Sequence, residues 1–189
     1  MRMPVLAKPL FAVAAVIVVA LADRPAAAQM TIGSPDTGFS IGSPGGPPRL
    51  ELGVGAFDVT PNRRRDSGMQ GDFRAEYHFG DIWLPVFSPF LGADVTTTGG
   101  SYVFGGFGFD INIGPSFVIT PNGAVGFYQR GNGTKLGSWF EFRTGAEFDY
   151  KFEDQSRLGV AVHHISNAGL TKLNPGEQSV LLVYQLPLR

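Results

Sequence analysis

From Leu50 onward, polar and apolar residues alternate along the chain with a period of two. In residues 139–152 the odd positions are mostly charged and the even positions are mostly aromatic. Residues 72–79 and 106–113 alternate in the same way. Because side chains leave a β-strand on alternate faces, this pattern predicts strands with one polar and one apolar face.

Turn residues divide the alternating sequence into eight runs, and no long segment carries a helical period. One interruption is visible inside the fifth run, where Pro121 stands in a place that favours a strand edge or a bulge. The runs lie near 50–59, 71–79, 84–96, 101–113, 116–129, 137–152, 156–166 and 178–188.

The charged faces distinguish a membrane barrel from a soluble β-sandwich. A sandwich seldom places several charges along one long strand, as residues 139–152 do. A small membrane barrel turns its apolar side chains to lipid and packs charged pairs and glycines inside. We therefore expect an all-β fold, an eight-stranded antiparallel transmembrane β-barrel over residues 50–189. Its interior would be filled by side chains, which argues against a pore.

Two further segments precede the expected barrel. A basic start, the apolar run from Leu10 to Ala22 and the small residues Ala26 to Ala28 follow the order of a secretory signal, so residues 1–28 are expected to be a signal peptide. The apolar run is too short to span a bilayer as a helix, which takes roughly 20 residues. Residues 29–49 are rich in Gly, Ser and Pro and predict a flexible segment.

Composition excludes several kinds of chemistry. The chain holds 15 basic and 16 acidic residues without a basic stripe, so nucleic acid is not expected as a partner. It has no cysteine, which excludes disulfides, thiolate metal sites and cysteine nucleophiles. Adjacent His163 and His164 would point to opposite faces of a strand, and His78 lies on a charged face. No metal site and no cofactor are therefore expected.

Candidate catalytic residues lie close together near the end of the chain. His164 and Ser166 are two positions apart on a strand-like run, so they share one face. The even positions of residues 156–166 carry the larger apolar side chains, which predicts that this face meets lipid. An imidazole and a hydroxyl are costly in hydrocarbon without partners, which favours a function. If both groups lie at the membrane–water interface instead, their free-energy cost is small and no function is needed to explain them; this alternative stays open.

In this order, the residues resemble the lipid A 3-O-deacylase (PagL-like) or acyloxyacyl hydrolase family of outer-membrane barrels, which trim lipopolysaccharide. The resemblance runs over most of residues 50–188 and is most specific at HHISNAG (163–169) followed by NPG (174–176). It implies that Ser166 is the nucleophile and His164 the general base. It further implies that Asn174, with Asn167 as a second candidate, helps to hold the oxyanion of the reaction.

The acid of the resembled family falls at position 178, which is Gln178 here, and Glu177 stands one residue earlier. On a regular strand, a shift of one residue turns a side chain to the other face, so Gln178 would point toward His164. At a bulge Glu177 could reach the histidine instead. We expect Glu177 as the catalytic acid, because Pro175 and Gly176 make a one-residue bulge possible at little cost in free energy. Gln178 is the alternative.

The resemblance implies an exported protein of the Gram-negative outer membrane. It would be a serine esterase, a carboxylic ester hydrolase that removes an ester-linked acyl chain from lipid A of lipopolysaccharide without a cofactor. Its partners would be that substrate and the outer-membrane lipids, and a homodimer is left open. The alternative is a non-catalytic barrel of the same fold with a structural or lipid-binding role. Whether Glu177 or Gln178 meets His164 separates the two hypotheses.

Overall fold

The computed structural model of the protein describes residues 32–34, 38–42, 46–60, 68–80 and 86–188. The expected signal peptide, residues 1–28, lies outside these residues. All regular structure in the described part consists of β-strands. No helix in this part is long and apolar enough to cross a membrane.

Eleven strand segments lie in the described part of the chain. The eight predicted runs correspond to β3 through β11, and two short segments precede them. The segments are β1 (Ile32–Ser34), β2 (Phe39–Ile41), β3 (Arg49–Phe57), β4 (Gln70–His78), β5 (Ser88–Thr96), β6 (Ser101–Gly108), β7 (Ile111–Ile113), β8 (Phe117–Gln129), β9 (Phe140–Lys151), β10 (Arg157–Ser166) and β11 (Glu177–Pro187).

Segments β6 and β7 are two parts of one barrel strand, because they pair with β8 in a single continuous register. The gap between them lies opposite Pro121 of β8. The Phe109 N–H donates to the Pro121 carbonyl at 3.3 Å. Proline has no N–H, so the second hydrogen bond of this residue pair, from residue 121 to the Phe109 carbonyl, cannot form. The interruption therefore has a local chemical cause, and the strand continues beyond it.

Backbone pairing closes the sheet into a barrel. Each barrel strand pairs antiparallel with its neighbour in the chain. The last strand, β11, pairs antiparallel with β3, the first. A closed sheet satisfies its backbone hydrogen bonds internally, which hydrocarbon requires of any spanning structure. The described residues thus confirm the predicted fold class, an eight-stranded antiparallel barrel.

The hairpin of β1 and β2 was not predicted. Composition predicts a flexible segment over residues 29–49, yet β2 pairs with β7 on the side of the sheet where β5 pairs with β6. Gly42 N–H donates to Asp110 O at 2.7 Å, and Asn112 Nδ2 donates to Gly42 O at 3.0 Å. The edge of β7 has unpaired backbone groups, and β2 pairs with them. Composition alone does not show that such an edge exists, so the hairpin could not be predicted from it.

The two faces of the wall separate as the alternation predicts. In β10 the odd positions are buried, whereas Leu158, Val160 and Val162 remain 40–42 % exposed. In β9 the buried positions include Glu141 and Arg143. The exposed apolar side chains belong to the lipid-facing surface of a membrane barrel, and the charged ones fill its lumen.

Buried ion pairs pack the lumen. Arg143 is fully buried and donates to Glu76 Oε2 at 3.1 Å, while its guanidinium lies 4.1 Å from the ring centre of Phe104. Arg74 donates through two bonds of 2.7 and 3.0 Å to Asp94. A guanidinium with carboxylate and aromatic partners is well compensated for its lost hydration. The charged row of β9 is thus part of a lumen network, as predicted.

We expect Arg143→Met to destabilise the barrel by about 3–5 kcal/mol, because the Glu76 carboxylate would stay buried without its cation. Urea unfolding of the detergent-solubilised protein, followed by the gel shift of the folded form, measures the change. Arg130→Met removes the same charge from an exposed position and is the matched control. Equal unfolding midpoints for the two variants would contradict a structural role of the buried pair.

Candidate active site

His164 and Ser166 lie at the end of β10 on the outward face of the wall. His164 is exposed and Ser166 is half-buried, whereas Ile165 between them is fully buried. Strand geometry alone places the two side chains on one face. Among the residues that the structure describes, no hydrogen bond joins the Ser166 hydroxyl to His164. The two side chains therefore share a face of the strand but do not form a hydrogen-bonded dyad.

Gln178 is the side chain that meets His164. The two residues stand directly opposite each other in the pairing of β10 with β11. Gln178 Nε2 lies 3.0 Å from His164 Nδ1. The other end of the same amide, Oε1, accepts a hydrogen bond from the Thr60 hydroxyl. One amide thus links the imidazole to the segment that follows β3.

Glu177 lies on the opposite side of the wall. It is fully buried, and its Oε2 accepts a hydrogen bond from the Asp58 N–H at 3.0 Å. In the strand pairing it stands opposite Ile165, which also faces inward. The hypothesis that Glu177 reaches His164 is therefore wrong. The two strands pair without a bulge here, so alternation holds Glu177 inside and brings Gln178, the alternative, to the histidine.

Asn167 organises the loop that follows β10. Its Nδ2 donates to Leu136 O at 3.1 Å, Leu173 O at 2.9 Å and Thr171 Oγ1 at 3.1 Å. Its Oδ1 accepts from Gly169 N–H at 3.1 Å. The amide is fully buried and fully engaged, so it is not free to donate to an oxyanion. Asn167 therefore stabilises the loop, whereas the sequence suggested it as a second candidate for the oxyanion donor.

Asn174 keeps a donor available. Its Oδ1 accepts a hydrogen bond from Asn167 N–H at 3.0 Å, which fixes the orientation of the amide. Within the described residues, Asn174 Nδ2 has no hydrogen-bond partner, and the side chain is exposed. An oriented amide with a free N–H is suited to donate a hydrogen bond to an oxygen atom that becomes negatively charged during a reaction.

Gly176 brings the loop back to the wall against the histidine. Its φ is 61°, a left-handed conformation that glycine adopts without strain. A Cβ atom at this position would lie 2.6 Å from His164 Cε1. Both constraints require glycine, and they place the imidazole edge directly against the loop backbone.

Thr60 is the site residue that the sequence did not reveal. It lies 118 positions before Gln178, in the segment that leaves β3. Val59 N–H donates to Gln178 O at 2.9 Å, which extends the pairing of β3 with β11 and sets Thr60 beside the amide. No local pattern marks such a contact, because it depends on closure of the barrel.

A second group of polar side chains meets in the lumen. Glu51, Glu76, His78 and Glu147 each offer one ligand atom, and these atoms lie within 4.8 Å of one another. His78 Nε2 lies 3.2 Å from Glu51 Oε2 and 3.3 Å from Glu76 Oε1. Three carboxylates and an imidazole could hold a cation. These residues stand on three strands and meet only because all four side chains point into the lumen, so no local pattern in the sequence predicts the cluster.

Comparison with known proteins identifies the family to which the chain belongs. Residues 74–187, more than half of the chain, match the family model of the lipid A 3-O-deacylase (PagL). The barrel is therefore of the lipid A deacylase type. The chain belongs to the lipid A 3-O-deacylase (PagL) family.

The fold is similar to that of several solved structures. The crystal structure of the outer membrane enzyme PagL shares 22 % sequence identity, covers 74 % of this chain and 99 % of its own, and has a TM-score of 0.59. A de novo designed transmembrane β-barrel gives 15 % identity and a TM-score of 0.45 over 74 % of this chain and 95 % of the design. The outer membrane protein Ail from Yersinia pestis shares 11 % sequence identity and has a TM-score of 0.44. This match covers 73 % of this chain and 99 % of Ail. No curated protein matches the sequence.

We expect Asn167→Asp to open the loop after β10, because a carboxylate would face two carbonyl oxygens and a hydroxyl that now accept hydrogen bonds from the amide. Hydrogen–deuterium exchange should become faster at residues 136–137 and 167–173. Lys172→Ala, an exposed change in the same loop, is the control and should leave exchange unaltered. Unchanged protection in Asn167→Asp would show that the amide does not hold the loop.

Proposed function

We propose that this family member hydrolyses an ester-linked acyl chain of lipid A, with Ser166 as nucleophile and His164 as general base. One observation supports the proposal above all. Ser166, His164 and Gln178 share the outward face of two adjacent strands, inside the segment that matches the family. Nucleophile, base and a group that orients the base are the parts that serine hydrolysis needs. The contact of Gln178 with His164 is the feature expected of the non-catalytic alternative, but an amide oxygen can also accept a hydrogen bond from imidazole Nδ1–H and so orient the base.

The position of the site along the barrel fits a lipid substrate of the outer leaflet. The site lies at the end that carries the connections 58–69, 97–100, 130–139 and 167–176, whereas the opposite end carries 79–87 and the short turns 114–116 and 152–156, so its connections are shorter on average. Bacterial outer-membrane barrels have short periplasmic turns and longer extracellular loops. We therefore place the site at the cell surface, and we propose residues 1–28 as the signal peptide for export.

The wall beside the site offers an apolar surface for acyl chains. Val160 and Val162 of β10 and Val180 and Leu182 of β11 are 38–54 % exposed on the same face as His164. An acyl chain lying along these side chains would leave its ester near the wall's end, where Ser166 lies. Apolar contact of this kind binds the lipid without a deep cavity.

The chemistry follows from the placement of the groups. Ser166 Oγ attacks the ester carbonyl carbon while His164 takes the hydroxyl proton, and Asn174 Nδ2 donates to the oxygen that becomes negative. The intermediate collapses, and the sugar hydroxyl leaves with the proton from His164. Water then attacks the acyl-serine, with His164 as base, and releases the fatty acid.

We expect Ser166→Ala to lower kcat by at least about 10³-fold, because the acyl intermediate cannot form. Mass spectrometry of lipid A and of released fatty acid, with the purified barrel in mixed micelles, measures the loss. Ser116→Ala removes a hydroxyl at the opposite end of the barrel and is the matched control. Near-normal release by Ser166→Ala would exclude this serine, and no release by the wild type would support the non-catalytic alternative.

Asn174→Ala should lower kcat by on the order of 10²-fold with little change in KM, since its N–H acts on charge present only in the transition state. The same fatty-acid assay, with substrate concentration varied, separates the two constants. A variant that raises KM and keeps kcat would instead place Asn174 in ground-state binding of the lipid.

A further inference from the structure

The hydrogen bonds between Thr60, Gln178 and His164 have a direction that bears on catalysis. An amide nitrogen only donates hydrogen bonds. Gln178 Nε2 lies 3.0 Å from His164 Nδ1, so Nδ1 is the acceptor in this contact. At the other end of the amide, the Thr60 hydroxyl donates to Oε1. The chain of donors therefore runs from Thr60 through Gln178 to the imidazole.

This direction determines the tautomer of His164. A neutral imidazole that accepts at Nδ1 carries its proton at Nε2. With Nδ1 bound to Gln178, Nε2 is the nitrogen left for Ser166, and a protonated Nε2 cannot take the serine's proton. In this arrangement the groups are in place, but the base is in its non-productive form.

We propose that Thr60 is a positioning residue whose hydroxyl lets the Gln178 amide hold His164 in either of its two neutral tautomers. This inference rests on the proposed function of the same site. Rotation of the amide by half a turn reverses each hydrogen bond: Nε2–H of the amide donates to Thr60 Oγ1, and Oε1 accepts from His164 Nδ1–H. His164 Nε2 then has a free lone pair for the Ser166 proton. A hydroxyl can serve both directions, because it donates and accepts.

The surrounding backbone keeps Thr60 within reach of the amide. Glu177 Oε2 accepts from Asp58 N–H at 3.0 Å on the lumen side, and Asp58 has a left-handed φ of 60°. Val59 N–H then donates to Gln178 O at 2.9 Å. The buried carboxylate thus anchors the turn that presents Thr60 to Gln178, although it does not touch the histidine.

This proposal can be tested with substitutions that allow the hydrogen bonds between residue 60, residue 178 and His164 to run in a single direction. Gln178→Glu can only accept from Nδ1–H, so it should raise kcat by about 10-fold or more. Thr60→Asp accepts but does not donate, so it should also raise kcat when Gln178 is present. In the Gln178→Glu background the same Thr60→Asp change should lower kcat, because two carboxylates would then face each other. Thr60→Ser keeps the hydroxyl and should behave as the wild type.

Nitrogen-15 NMR of labelled histidine in the detergent-solubilised protein reports the tautomer directly. The wild type should carry its His164 proton at Nε2, and Gln178→Glu and Thr60→Asp should carry it at Nδ1. A wild type already protonated at Nδ1, or a Thr60→Asp effect of the same sign in both backgrounds, would overturn the proposal. If neither the wild type nor Gln178→Glu releases fatty acid, the proposed function fails, while the NMR result still decides the role of Thr60.

Discussion

A closed sheet leaves each side chain only two places to go, the lumen or the lipid, and successive residues must alternate between them. This constraint decides the character of the candidate site. It brings His164, Ser166 and Gln178 to the outside of the wall and sends Glu177 to the inside, although Glu177 and Gln178 are neighbours in the chain. One carboxamide hydrogen bond, between Gln178 Nε2 and His164 Nδ1, consequently stands where the resemblance implies a carboxylate that orients the imidazole.

The lumen explains why the wall can carry such a site on its outer surface. Arg143 with Glu76 and Phe104, and Arg74 with Asp94, fix the strands from within. His163 contributes to the same packing, because its Nδ1 accepts from Arg74 at 2.9 Å. Its neighbour His164 is exposed on the other side. One histidine of the pair thus packs inside the wall, and the other is exposed on its outer surface.

Period-two patterning, together with the turn residues, was sufficient to predict the barrel, the number of strands and the faces of residues 72–79, 106–113, 139–152 and 156–166. It also predicted that Gln178 points to His164 if β11 is regular, and the preference for Glu177 failed because no bulge forms there. Thr60, the hairpin of β1 and β2, and the meeting of Glu51 with His78 could not be predicted. Each depends on contacts between segments that only closure or an open sheet edge brings together, and a single sequence carries no local signal for such contacts.

The loop after β10 is built jointly with the connection between β8 and β9. Asn167 donates to Leu136 O, Thr171 donates to Gly137 O at 3.3 Å, and a Cβ at Gly137 would lie 1.8 Å from Leu173 O. Neither loop keeps its shape without the other. When surface loops are exchanged between barrels of this kind, the two loops must therefore be transferred together, because a graft of residues 167–176 alone would carry Asn174 without the contacts that support its loop.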